Sequence, residues 1–307
     1  MNYPERLREG DTVALLAPSS PISPEDAEAC RRHFEDRGYR VRMSGLVSTP
    51  LHGYEAGAPE DRARELNAAF SDPEVRAIFC VRGGNSACRV LERVDLEAVR
   101  ANPKIFVGYS DITPFHVLFN QRAELITFHG PMVKSNMIRG FDAFSRTSLD
   151  AALSMEPGGV LEFRNPEGSA TEPLCGGAAE GLLVGGNLAL LTSLLGTPYA
   201  ADTRGRILLI EDVGETVPRV ARMLHHLRLA GKFEDAAGVL IGDFTDCTNA
   251  AEPDYGVNAL MRDFFAGIGK PVLAGIRTGH GFPMATLPLG MRCRVDAGGG
   301  SVRFFRD

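Results

Sequence analysis

With 307 residues, 44% of them apolar and 23% charged, the chain has the composition of an ordinary globular protein and, at roughly 100 to 200 residues per domain, the length of two. The formal charge of −6 comes without a Lys/Arg cluster, which argues against nucleic acid as a partner. The apolar run in the opening "MNYPERLREGDTVALLAPSS" is too short for a signal core or a membrane span, so a cytoplasmic protein with no membrane partner is expected; six scattered cysteines without a CxxC pair predict reduced thiols and no zinc site.

The first half alternates short β-rich runs with amphipathic segments: "TVALLAP", "SPEDAEACRRHFEDRG", "YRVRMS", "PEDRARELNAAFSD", "VRAIFCVRGG". Such alternation predicts βαβ units around a parallel sheet. Ser23 before Pro24 reads as a helix start, and Gly38 closes that helix. "KIFVGYS" and "ELITFHGP" flank a helix-like "DITPFHVLFNQRA" and extend the same sheet, taking the first domain to residue 155. Residues 156–178, rich in Gly, Pro and Glu, read as a linker with one short strand.

A second domain over 179–307 holds helix-like "GNLALLTSLLG", "TVPRVARMLHHLRLAG" and "GVNALMRDFFAGIG", strand-like "RGRILLIED" and "AAGVLIGDF", and a closing hairpin in "ATLPLGMRCRVDAGGGSVRFF". The expected class is α/β: an N-terminal, mostly parallel, flavodoxin- or Rossmann-like sheet flanked by helices, followed by a mixed, β-rich α/β domain with a partly antiparallel sheet.

Ser110 follows the buried-looking "IFVGY" at the carboxyl end of a strand, where open α/β sheets place their ligands. It reads either as a nucleophile, with the N–H of Asp111 helping to hold an oxyanion, or as the N-cap of the following helix with Asp111 complementing the dipole. Gly108-Tyr109-Ser110-Asp111-Ile112 lacks the last glycine of the G-x-S-x-G elbow.

Of the seven histidines, His33, His225 and His226 lie in charged helical stretches and read as exposed, His52 lies in a loop, and His116 sits too far along the helix to serve Ser110. His129 in "TFHGP" and His280 in "RTGHGFP" remain as bases; Gly279 and Gly281 around His280 suit an unusual backbone, as in a surface turn or a cleft. Glu211, directly after four apolar strand residues, is the carboxylate best placed to orient a base, although a solvated residue fits the same position. Asp212 and Glu215 read as dipole or cap residues of the helix that Thr216 and Pro218 begin. Gly83-Gly84 in "CVRGGNSACRVL" let the backbone approach a ligand, but no nucleotide motif and no metal-ligand spacing is present.

Taken together, "GDTVALLAPSSP", "DRARELNAAFSDPEVRAIFCVRGG", "FVGYSDIT", "TFHGPM", "GGNLALLTSLLGTP", "LLIEDVGE" and "GHG" followed by "ATLPLG" resemble, in order and over nearly the whole chain, the LD-carboxypeptidase family of serine peptidases, which also contains the microcin C self-immunity peptidases. The resemblance implies an N-terminal sheet-and-helix domain, a C-terminal β-rich domain and usually a homodimer. It also implies a triad of Ser110 as nucleophile, Glu211 as orienting carboxylate and His280 as base, with no metal and no organic cofactor. By the same analogy the N–H of Asp111 and one from Gly83 or Gly84 stabilise the oxyanion.

One departure bears on substrate. Murein-trimming members typically read R-G-G-Y-G where this chain has Arg82-Gly83-Gly84-Asn85-Ser86, a pattern closer to the microcin-immunity branch. Arg82 is the candidate for a substrate carboxylate, and Asn85 replaces an aromatic wall. The leading expectation is a serine carboxypeptidase releasing a terminal D-amino acid from muropeptide tetrapeptides. The alternatives are a microcin C-type immunity peptidase acting on a peptidyl-nucleotide amide, and a two-domain ligand-binding protein without catalysis.

Overall fold

A computed structural model describes residues 1–307. The chain divides into two compact units, Met1–Ser154 and Met155–Asp307.

The first unit runs β1 (Thr12–Leu16), α1 (Pro24–Glu35), β2 (Arg40–Arg42), α2 (Pro59–Ser71), β3 (Val75–Cys80), α3 (Leu96–Ala101), β4 (Ile105–Gly108), α4 (Thr113–Arg122), β5 (Thr127–His129) and α5 (Ala143–Leu153). The strands lie parallel in the order β2-β1-β3-β4-β5. β1, β3 and β4 are apolar except for Thr12 and Arg76 and are buried nearly throughout, the pattern expected of strands covered on both faces. Helix α1 starts where the sequence places it: the Ser23 side chain accepts from the Asp26 amide, and Pro24 fills the first turn. Aromatic packing closes the layers, with Phe34 of α1 against Phe79 of β3 (4.9 Å between ring centroids) and Phe119 of α4 against Phe106 of β4 (5.0 Å). The chain leaves β1 for β2 on one side and returns to β3 on the other. The order therefore reverses between β1 and β3, and the loops after these two strands flank the switch point at which such sheets bind ligands.

The second unit holds β6 (Val160–Glu162), β7 (Glu172–Cys175), β8 (Ala178–Asn187), α6 (Leu188–Ser193), β9 (Ile207–Val213), α7 (Val217–Leu229), β10 (Gly238–Thr245), α8 (Val257–Phe265), β11 (Val272–Ala274), β12 (Arg292–Asp296) and β13 (Ser301–Phe305). They form a mixed sheet in the order β6-β13-β12-β8-β9-β10-β11-β7. Its centre, β8 to β11, is parallel, and the remaining pairs are antiparallel. Residues 156–178 thus contain two strands where the sequence suggests one. β7 carries Pro173 and lies at the sheet edge, where a missing N–H is tolerated, so propensity alone hides it. No helix is long and apolar enough to cross a membrane.

Candidate active site

Ser110 is half-buried directly beyond β4, with φ of 62°, in the left-handed region that a non-glycine residue rarely adopts. An N-cap residue is extended instead, and that position is held by Tyr109, before a 3-10 turn over Ser110–Ile112 that leads into α4 with no side-chain cap bond. The geometry of Ser110 is therefore that of a strained strand-to-helix turn. Gly83, after β3, packs on it: a Cβ at position 83 would stand 3.1 Å from the Ser110 Cβ, 3.2 Å from its Oγ and 3.4 Å from the Asp111 N. Gly84 is equally constrained, because a Cβ there would overlap the Ser20 hydroxyl. Gly83 brings bare backbone against Ser110, and the Asp111 amide lies on the same side.

Asp111 does not serve its own helix as a dipole partner. Its carboxylate reaches the loops after β1 and β3, where Oδ2 accepts from Ser19 Oγ, the Ser86 amide (2.8 Å) and the Ala87 amide (2.9 Å). Burial raises its pKa, and these three donors together with the Arg62 charge work against that rise. Arg62 of α2 approaches the same loops: its Nη1 donates to the Pro18 carbonyl (2.9 Å), the Ser86 carbonyl (3.2 Å) and Ser86 Oγ (2.9 Å), while Nη2 pairs with Glu55 at 2.6 Å. Both side chains of that pair are fully buried, and Glu55 also holds Arg89. Three strand-end loops are thus tied into one polar knot beneath Ser110. The sequence signal for Arg62 is its position: with Pro59, Ala63, Leu66 and Phe70 it lies on the buried face of α2, where an arginine requires internal partners.

In the second unit, Glu211 stands opposite a bulge in β10, with Gly242 and Asp243 facing it together. Ile210 pairs with Ile241 and Asp212 with Phe244, so the register shifts across Glu211, and bulges re-aim side chains. Glu211 is completely buried, and its Oε2 lies 2.8 Å from His280 Nδ1. A carboxylate only accepts, so Nδ1 carries the proton and donates it to Glu211. The flanking glycines make this approach possible: at Gly279, with φ of 110°, a Cβ would come within 2.5 Å of Glu211 Oε2. Asp212 turns away to the start of α6, accepting from Asn187 Nδ2 (2.9 Å) and the Ala189 amide (3.0 Å). It therefore caps the preceding helix rather than α7, and burial pushes its pKa up to about 6. Glu215 pairs with Arg219 on α7 at 3.0 Å.

The other histidines separate by environment. His129 is buried at the end of β5, its ring 5.9 Å from Tyr109 and 6.4 Å from His116. His116 is also fully buried: Nε2 donates to the Gly108 carbonyl at 2.8 Å, so Nδ1 accepts from the Thr127 hydroxyl at 2.8 Å, and burial lowers its pKa to about 4. His33 is half-buried against Phe34 rather than exposed, and burial together with Arg37 and Arg146 lowers its pKa to about 4. His52, His225 and His226 are exposed. Arg82 is half-buried and Asn85 exposed, whereas Ser86 faces inward to Arg62 and Asp111.

Residues 13–130 match the model for the LD-carboxypeptidase N-terminal domain, and residues 180–295 match that for the LD-carboxypeptidase C-terminal domain. A relative from Bacillus subtilis (strain 168) named as a probable murein peptide carboxypeptidase is 37% identical over 298 residues, 96% of this chain and 92% of its own length. The chain belongs to the LD-carboxypeptidase family. It is accordingly a serine-type carboxypeptidase of that family, a hydrolase. Among solved structures, the muramoyltetrapeptide carboxypeptidase from Oxalobacter formigenes superposes with a TM-score of 0.84 at 28% identity, covering 96% of this chain and 99% of that one. The microcin C7 self-immunity protein MccF in complex with aspartyl sulfamoyl adenosine superposes with a TM-score of 0.89 at 25% identity, covering 99% and 98%. Both branches of the LD-carboxypeptidase family thus share this fold over nearly its full length.

Proposed function

We propose that the protein is a serine carboxypeptidase that removes a terminal D-amino acid from murein tetrapeptides, using Ser110 of the first unit with His280 and Glu211 of the second. The observation that carries the reading is the 2.8 Å contact between His280 Nδ1 and the fully buried Glu211. A carboxylate withdrawn from water and committed to one ring nitrogen fixes the tautomer and stabilises the imidazolium. Nε2 then takes the Ser110 proton as Oγ attacks the amide carbonyl, and returns it to the departing amine. The acyl-enzyme is released by water through the same base. The N–H of Asp111 and one from Gly83 or Gly84 stabilise the oxyanion, and Arg82 pairs with the terminal carboxylate. The Bacillus subtilis relative's name supports a murein peptide as substrate.

A second reading rests on Asn85, which is exposed where an aromatic wall stands in murein-trimming members. The MccF neighbour holds an aminoacyl sulfamoyl adenosine, and a peptidyl-nucleotide amide is the corresponding substrate. A side-by-side turnover assay decides. Ser110→Ala should lose roughly 10⁴-fold or more on whichever substrate is cleaved. Amidating the tetrapeptide's C-terminus should lower kcat/KM by about 10- to 1,000-fold if a terminal carboxylate is recognised. Equal cleavage of amide and acid would move the assignment to the peptidyl-nucleotide reading, and normal turnover by Ser110→Ala would end both.

A further inference from the structure

His280 stands at the tip of a loop whose neck is closed by two backbone and side-chain bonds: the Ala285 amide donates to the Arg277 carbonyl (2.7 Å), and the Thr278 hydroxyl to the Ala285 carbonyl (2.9 Å). Asn165 braces the incoming strand, donating to the Gly275 carbonyl (2.7 Å) and accepting from the Arg277 amide (3.0 Å). Within the loop the Arg277 guanidinium makes two contacts, one to a strand outside the loop and one back to the loop's own backbone. Nη1 pairs with Asp243 Oδ1 at 2.7 Å, and Nη2 donates to the Phe282 carbonyl at 2.6 Å. The second oxygen of Asp243 faces the backbone next to His280: a Cβ at Gly281 would stand 2.5 Å from Oδ2 and 3.1 Å from Arg277 Nη2.

His280 therefore sits between two carboxylates, Glu211 beyond Gly279 and Asp243 beyond Gly281, of which only Asp243 has a guanidinium partner. The charged and titratable groups around it in this unit are Glu211, Asp212 behind Glu211, Asp243 and Arg277.

We propose that Arg277 and Asp243 are positioning residues for the base: the guanidinium holds the His280 loop closed and neutralises the second carboxylate, so that Glu211 alone sets the imidazole's tautomer and charge. This inference rests on the reading of His280 as the base. Both residues act through His280. The Asp243 carboxyl titrates near His280 as well, since burial pushes its pKa up to about 6 against the pull of Arg277.

The pair makes opposite predictions for two neutralising substitutions. Asp243→Asn keeps an acceptor for Arg277 but removes a negative charge beside the imidazole, which disfavours the protonated ring. The acid limb of the kcat/KM profile should move down by about 0.5 to 1 pH unit. Arg277→Met leaves Asp243 without its cation and should move the limb up by a similar amount, with a fall in kcat and little change in KM. Arg277→Lys should recover most of the limb's position but not the rate, because one ammonium cannot span Asp243 and Phe282 together. The double variant should return the limb towards its starting place.

The test is the pH profile of tetrapeptide turnover, together with titration of the histidine ring signals by NMR, the His280 signal being the one lost in His280→Ala. Shifts of opposite sign in both readouts support the proposal. Profiles and ring titrations that stay within about 0.2 unit of the parent, while His280→Ala is inactive, overturn it and leave the base assignment standing. Activity retained by His280→Ala overturns the base assignment itself.

Discussion

Glu211 lies wholly buried with its Oε2 2.8 Å from His280 Nδ1, and each residue owes that placement to a different backbone device, a bulge in the facing strand β10 for the glutamate and a pair of glycines for the histidine. A buried acceptor of this kind orients a base and stabilises its charge. Glu211→Gln should keep the fold while presenting an amide whose tautomeric demand on the ring is ambiguous, and kcat should fall by about 10²- to 10⁴-fold. His280→Ala should be near-inactive. His129→Ala, at a ring buried against Tyr109 and His116, should instead cost stability with a smaller loss of rate. Steady-state kinetics with thermal melts on the three variants check this; equal, modest losses at His280 and His129 would count against the triad.

The knot of Arg62, Glu55, Asp111, Ser19 and Ser86 fixes three strand-end loops at once. Arg62→Met leaves the Glu55 carboxylate, which has no solvent exposure, with Arg89 as its remaining ionic partner, and should lower unfolding free energy by about 3 to 5 kcal/mol. Ser86→Ala removes a neutral hydroxyl that accepts from Arg62 and donates to the Ser19 carbonyl, so the expected cost is about 1 kcal/mol. Because Ser86 N and Ala87 N hold the residue next to Ser110, Asp111→Asn should reduce the rate of reaction with a serine-directed phosphonate by at least about tenfold. Urea unfolding and phosphonate labelling rates are the measurements. Undiminished labelling in Asp111→Asn would separate the knot from the nucleophile.

His116 supplies a pH dependence of stability. Its pKa is about 4 in the folded protein because of burial, against 6.5 for an exposed histidine. Above pH 6.5 the ring is neutral in both states and contributes nothing to the slope. As pH falls from 6.5 towards 4 the unfolded chain binds a proton that the folded protein refuses, so stability is lost at about 1.4 kcal/mol per pH unit. Between pH 7 and pH 5 the loss from this residue is on the order of 2 kcal/mol. In His116→Gln the difference between urea unfolding at pH 7 and at pH 5 should shrink by that amount. An unchanged difference would show that the ring titrates normally in the folded protein.

Much of both units is legible in local sequence because the signals are local. Continuous apolar runs require strands buried on both faces, and Ser23-Pro24 and Thr216-Val217-Pro218 set helix starts that the structure repeats residue for residue. The same locality explains what is misread. Asp212 and Asp111 each precede a helix and resemble its dipole partners, yet each carboxylate serves a different segment, α6 for Asp212 and the loop at Ser86-Ala87 for Asp111. The Pro-bearing edge strand β7 has no propensity of its own and exists because β11 offers it an edge.

The sequence by itself determined where the chemistry-bearing residues fall along the chain: Ser110 after β4, Glu211 at the end of an apolar run, His280 between two glycines. Which groups hold them was decided only in three dimensions. Arg62, Glu55 and Ser19 act on the loop beside Ser110 from 48 to 91 positions away in sequence, and Asp243 and Asn165 converge from two separate segments on the His280 loop, where Arg277 meets them. A buried charge must find its partners wherever the fold brings them, since leaving it unpaired costs several kcal/mol. Periodicity and propensity, which read a few residues at a time, carry no record of that search.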